Sequence, residues 1–338
     1  MRRVPLLVLL LFAAAAPVSG CGSRAAARAP ARNATLVLDF TPNAVHAGIY
    51  TALAQGYDRA AGIALKIVTP TASTDSIRLL ETGRANFAIL DIHDLAIARE
   101  RGADAVGIMA IVQRPLASVI AQPQITDPRE LAGRTVGVTG DPSDLAVLRS
   151  VVAGSGGDPH AVKTITIGFD AVAALLSRRV AAATAFWNDE GITLSHERPG
   201  FHLFAVERYG APAYPELVLC ATRAGLQSDP SLARAVVDVL VRGYTTALAD
   251  PRQAVSDLER EVPGIGTPLL AAEVDALAPA FRAPDGRVGD LYPPTLAAWA
   301  RWETRFGIVA HTPVLSTTFD RTFVAAADRS AALVGWAR

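Results

Sequence analysis

Short apolar runs alternate with stretches in which apolar residues recur at helical spacing, from about residue 34 to residue 221. The runs read as buried strands and the stretches as helices laid over them. The first unit sets the type. Residues 36–40 form an apolar run, Pro42 stops it, and Asn43 can cap a helix on which Val45, Ile49 and Leu53 share a face. Strands at 63–68, 85–90 and 105–112 and helices at 73–82 and 93–101 continue the series, with Gly56, Gly62, Gly83 and Gly102 each placed to end a helical segment. A second series follows: strands at 135–139, 163–167, 181–187, 202–206 and 217–221, with helices starting near Ser143 and Asp170. Beyond it the pattern is helical, at 230–249, 251–261, 268–281 and 293–306.

This order predicts an α/β protein of parallel, helix-covered sheets. Two sheet lobes and a helical return are expected: residues 34–119, then 120–217, then 218–338 packed back on the first lobe. The chain would cross between lobes at 118–122 and 216–220, leaving a cleft where strand ends meet and where hinge closure can trap a ligand. No internal sequence repeat is visible.

Residues 1–33 stand outside this scheme. Met1-Arg2-Arg3 is basic, residues 4–16 are apolar but short for a membrane span, and Val18-Ser19-Gly20-Cys21 resembles a lipobox. The expectation is a signal segment over 1–20, a lipid-modified Cys21 and an Ala- and Arg-rich tether over 21–33, which anchors a secreted protein to the outer face of the cytoplasmic membrane.

Charge adds an exclusion. Lys+Arg and Asp+Glu number 32 each, and losing Arg2 and Arg3 leaves the mature chain near −2, so no basic surface is expected to hold nucleic acid. Cys220, alone in an apolar run, reads as a small buried hydrophobe.

Candidate chemistry gathers at strand ends. Asp39, Phe40, Asn43 and His46 bring a carboxylate, an aromatic face, an amide and an imidazole to the first strand–helix junction. Asp91 follows the third strand and either lines a pocket or caps the next helix. Asp91-Ile-His-Asp94 has metal-competent side chains, but without a second cluster at ligand spacing it reads as loop and cap.

Asp39-Phe-Thr-Pro-Asn43 and His46-Ala-Gly-Ile-Tyr50 resemble the Asp-Trp-Thr-Pro-Asn and His-x-Gly-Ile-Tyr signature of the family uniting thiamine-pyrimidine-binding proteins with eukaryotic pyrimidine synthases. Gly56-Tyr57 with Gly62-Ile63, Gly83-Arg-Ala-Asn-Phe87, Val112-Gln-Arg-Pro115, Gly168-Phe-Asp170, Trp187-Asn-Asp-Glu-Gly191 and Tyr209-Gly-Ala-Pro212 follow in the family's order. Phe40 replaces the signature tryptophan, and the family's Gly-x-Pro-Gly-x-Pro loop is reduced to Gly140-Asp-Pro-Ser-Asp144.

The resemblance implies a two-lobed type II periplasmic-binding-protein fold and a monomeric solute-binding subunit of an ABC importer, with a permease and an ATPase subunit as partners. It also implies a ligand of the thiamine-pyrimidine precursor type, held by Asp39, Phe40, Asn43, His46, Tyr50, Asp91, Gln113, Trp187, Asn188 and Glu190. An aminopyrimidine needs aromatic walls, here Phe40 and Trp187, and a carboxyl for its amino and ring nitrogens, here Glu190. The alternatives are that Trp187 is core and Glu190 a surface charge. Riboflavin, a sulfonate such as taurine, or nitrate are alternative ligands, since relatives bind them. The synthases of the family use a lysine-bound pyridoxal phosphate and a cysteine motif for iron. This chain has two cysteines and only Lys66 and Lys163, both inside expected strands, so no enzyme activity and no cofactor are expected.

Overall fold

A computed structural model describes residues 31–327 apart from residues 73, 267 and 326. The expected signal segment, Cys21 and most of the tether lie outside them.

Among the described residues, ten strands form two sheets of five. The first holds β1 (Arg32–Val37), β2 (Ile63–Val68), β3 (Phe87–Asp91), β4 (Ala105–Val112) and β10 (Leu217–Thr222), in the order β2-β1-β3-β10-β4. The second holds β5 (Ala117–Ala121), β6 (Thr135–Val138), β7 (Lys163–Thr166), β8 (Ala182–Phe186) and β9 (His202–Ala205), in the order β7-β6-β8-β5-β9. The two orders correspond strand for strand, an architectural repeat that the sequence does not display. Every residue of β4 is buried, as a strand with helices on both faces requires.

Neither sheet is purely parallel. β10 runs antiparallel to β3 and β4, and β5 runs antiparallel to β8 and β9. The reason is topological: each is the strand by which the chain enters a lobe from the other one. The two segments expected as crossings are these strands. The change of lobe comes just before each, at residues 113–116 and in the stretch between β9 and β10.

The helical return fixes the first strand–helix junction. The helix Pro230–Ala249 lies along the helix Ala47–Ala54, where Tyr244 Oη donates to the Val45 carbonyl at 2.9 Å. Gly243 and Gly48 let the two backbones touch, since a Cβ on Gly243 would overlap the Gly48 carbonyl oxygen. Helices Pro230–Ala249 and Pro251–Glu261 both begin with a capping aspartate and a proline, which is why their limits match the sequence. The expected helix 268–281 is shorter, Leu270–Leu277, followed by a 3-10 turn Ala278–Phe281 that contains Pro279, a residue without the N–H an α-helix would use. The helix Glu190–Glu197, not expected from the pattern, starts directly behind β8.

Candidate ligand-binding cleft

The carboxyl ends of β3 and β8 face each other across a cavity of about 180 Å³, closed at the sides by the loops that follow β1 and β6. The first-lobe wall is built by local hydrogen bonds. The Asn43 side chain accepts from Val45 N at 2.8 Å, His46 Nδ1 accepts from Asn43 N at 3.1 Å, and His46 Nε2 therefore donates to Asp39 Oδ1 at 2.9 Å. His46 has no exposed surface, so its role is to hold the Asp39 carboxylate toward the cavity.

The second-lobe wall uses the same economy. Asp144 Oδ2 accepts from Thr139 N at 2.6 Å, Thr139 Oγ1 at 2.7 Å and Gly140 N at 3.2 Å, shaping the loop before the helix Pro142–Gly154. Glu190 Oε2 accepts from Phe186 N at 3.0 Å. Burial first, and the neighbouring Asp189 second, push the Glu190 carboxyl up to about 8. It is therefore largely neutral at pH 7, and can both donate and accept.

Three contacts join the walls. Asn43 Nδ2 donates to Asp189 Oδ2 at 3.1 Å, Ser143 donates through N and Oγ to the Asp94 carboxylate at 3.2 Å each, and Phe40 meets Phe169 edge-on with ring centres 4.3 Å apart. These hold the lobes in a closed arrangement.

Among the described residues, seven carboxyl side chains line the cavity: Asp39, Asp91, Asp94, Asp141, Asp144, Asp189 and Glu190. Among the described residues that line it, Arg101 is the single basic one, and it is exposed. Burial raises the carboxyls of Asp91, Asp94, Asp144 and Asp189 as well. Apolar surface comes from Phe40, Phe169, Phe186, Ile89 and Leu90.

Of the residues expected at a site, Asp39, Phe40, Asn43, Asp91 and Glu190 line this cavity, and His46 stands directly behind Asp39. Asp91 also caps the helix Ile92–Glu100, accepting from His93 N at 2.7 Å, so both roles weighed for it coexist. The others lie elsewhere. Tyr50 is buried in the first-lobe core, where burial and then Glu261 push its hydroxyl up to about 12. Gln113 reaches the Asp290 carbonyl at 2.9 Å, and Trp187 Nε1 donates to the Pro115 carbonyl at 3.1 Å, so both brace the first crossing. Asn188 is buried outside the lining, with neither side-chain polar atom partnered by protein. Phe186 takes the place in the wall expected of Trp187, because successive residues at a strand end point to opposite sides. Phe169, inside the matched Gly168-Phe-Asp170, and Asp94 and Asp144, each in a helix's first turn, were within reach of strand-end reasoning but carry no signal that separates them from ordinary caps.

A protein-family description, "NMT1/THI5 like", matches residues 43–254. The formylaminopyrimidine-binding protein of Halalkalibacterium halodurans is 30% identical over 273 residues, 80% of this chain and 81% of that protein. The riboflavin-binding protein RibY of Chloroflexus aurantiacus is 27% identical, over 74% of each chain. The 4-amino-5-hydroxymethyl-2-methylpyrimidine phosphate synthase of Legionella pneumophila is 22% identical, over 70% of this chain and 75% of that one. Among solved structures, the alkanesulfonate-binding protein SsuA of Xanthomonas axonopodis pv. citri superposes with a TM-score of 0.67 at 14% identity, covering 87% of this chain and 99% of that chain. The fold is that of the two-lobed periplasmic binding proteins, and the chain belongs to the NMT1/THI5-like family.

Proposed function

We propose that the chain captures an aminopyrimidine precursor of thiamine, of the formylaminopyrimidine or hydroxymethylpyrimidine type, and delivers it to an ABC permease. The observation that carries this reading is the make-up of the cavity: seven carboxyls, aromatic and aliphatic walls, and one exposed arginine. A sulfonate or nitrate brought among these carboxyls would meet like charge, and the buried donors of the lining, Asn43, Ser76, Ser118, Ser143 and Thr184, already donate to protein oxygens. A flat ring bearing amino groups finds the reverse: aromatic faces to lie against and carboxyl oxygens to accept its N–H groups.

Glu190 is the residue best placed to read the ring edge. A neutral carboxyl donates through O–H to a ring nitrogen while its carbonyl accepts from the adjacent amine, and moving the proton onto the ring turns the pair into a charge-assisted one. The likeness to the formylaminopyrimidine-binding protein supports the same ligand class. Closure follows from differential contact. A ligand touching both walls binds the closed form more tightly than the open one and shifts the population by that difference.

The chain is read as performing no chemistry. Lys66 and Lys163 sit in β2 and β7, outside the cavity lining, which supports binding rather than pyridoxal-phosphate-dependent synthesis. Lipid anchoring through Cys21 at the outer face of the cytoplasmic membrane, a monomeric state, and permease and ATPase partners complete the proposal.

The test is a thermal-shift panel on the purified protein, with hydroxymethylpyrimidine, its aminomethyl and formylamino derivatives, thiamine, riboflavin, taurine and nitrate. A ligand at a hundredfold excess over its Kd adds about 2.7 kcal/mol of stability. Stabilisation by aminopyrimidines and by no anion is expected. Stabilisation by taurine or nitrate overturns the electrostatic argument, and by riboflavin alone overturns the ligand.

A further inference from the structure

A second group of polar side chains lies behind the cleft, between the two crossings. Asp91 ends β3, His93 sits in the first turn of the helix after it, and Glu216 closes the returning crossing, its carbonyl accepting from Ile92 N at 2.9 Å. His93 and Glu216 are 0% exposed, and one ligand atom from each of Asp91, His93 and Glu216 lies within 4.8 Å of the others. Glu216 Oε2 accepts from the amides of Leu116 and Ala117 in the other crossing, while Oε1 has no protein partner. His93 Nδ1 faces the carboxylate of Glu303, Trp299 Nε1 donates toward the same nitrogen at 3.2 Å, and Nε2 has no protein partner. The Tyr214 ring packs edge-on against His93, and its buried hydroxyl is also unpartnered.

Buried polar atoms are almost always satisfied, and buried charges are paired or bound to metal. Here three carboxyl groups surround one imidazole, and open valences sit on the imidazole and on Glu216. We propose that Asp91, His93 and Glu216 bind a divalent first-row metal ion, of the zinc type, at the hinge. Donors bound to one such ion at about 2.0–2.2 Å lie up to roughly 4 Å apart, so side-chain shifts of under about 1 Å close the triad on it. Glu303 supplies the carboxylate that metal-binding histidines usually hold through the other ring nitrogen; in the tautomer with the proton on Nδ1, directed at Glu303 in place of the bond from Trp299, Nε2 is left to coordinate. Mixed imidazole and carboxylate donors suit zinc or manganese better than calcium, which takes six to eight oxygens. Asp91 belongs to the cavity lining, so the cleft is the entry path. The ion would tie β3 to both crossings.

The measurement is metal uptake by the purified protein after EDTA treatment and dialysis, with ZnCl2 and MnCl2 as probes, read by elemental analysis and by calorimetric titration. One equivalent is expected, with at least tenfold weaker binding in His93→Gln and Glu216→Gln and a tenfold to hundredfold loss in Glu303→Gln. Melting in EDTA shows whether those variants fold. A zinc anomalous-scattering map of wild-type crystals needs no variant, and a peak among Asp91, His93 and Glu216 is expected. Absence of stoichiometric uptake by the wild type, unchanged uptake by folded His93 and Glu216 variants, or a peak elsewhere overturns the proposal.

Discussion

Asp91 separates two populations of acidic groups that the fold treats differently. On the cleft side, Asp39, Asp94 and Asp189 are half-buried and hydrogen-bonded to side chains of the opposite wall or of their own loop. On the hinge side, Glu216 and Glu303 are sealed from solvent, and each leaves one oxygen unpartnered. A half-buried carboxyl can exchange its partner for a ligand at small cost, whereas a sealed one keeps its partner or destabilises the protein. The cleft is thus built to change its contacts and the hinge to keep them.

The sharpest way to break this contrast is Glu216→Ala. It strips the Leu116 and Ala117 amides of their acceptor inside the protein, and a loss of about 3 kcal/mol in chemical denaturation is expected, against about 1 kcal/mol for Glu216→Gln. Next comes pH. Glu190 is raised to about 8, and Glu216 and Glu273 to about 7, each chiefly by burial, from 4.5. A carboxyl that holds its proton more tightly when folded favours the folded state below its unfolded value. That advantage is lost as pH rises from about 4.5 to the folded value. Stability should fall by about 2 kcal/mol or more between pH 5 and 8 at constant ionic strength, and Glu273→Gln should flatten the slope.

Glu190→Gln should weaken aminopyrimidine binding by about 1.5–2 kcal/mol in calorimetry while leaving the ligand-free protein about as stable as the wild type near pH 4.5 and more stable from pH 7 upward. Asn43→Ala removes both the cap on the turn Ala44–His46 and the bond to Asp189, for about 1 kcal/mol in stability and a larger open fraction in solution scattering. Ser143→Ala loses one of two bonds to Asp94 and keeps the backbone one, so a change of about 0.5 kcal/mol is expected by the same denaturation measurement.

The same contrast explains what could be read from the chain. The Asp39–Asn43–His46 wall is assembled from residues a few positions apart, so strand-end and capping arguments reach it. β4 and the two helices opened by Asp-Pro follow from periodicity and caps alone. The hinge is assembled from the Asp91–His93 turn, Glu216 and Glu303, which are distant from one another in the chain, and no local signal joins them; that is why Asp91-Ile-His-Asp94 reads alone as a cap. Trp187 shows the finer limit. It stands next to Phe186 in the sequence, yet only register decides which ring enters the cavity. The antiparallel direction of β5 and β10 escaped for a related reason, since strand direction belongs to topology rather than to pattern.

The contacts across the cleft are made by the protein's own side chains, and this has a kinetic consequence. Asn43–Asp189, Asp94–Ser143 and Phe40–Phe169 must part before a ligand can enter or leave. The observed association rate should therefore level off at high ligand concentration, at the opening rate, and Asn43→Ala should raise that plateau. The same opening step limits escape, so a permease that pries these contacts apart speeds release without touching the ligand.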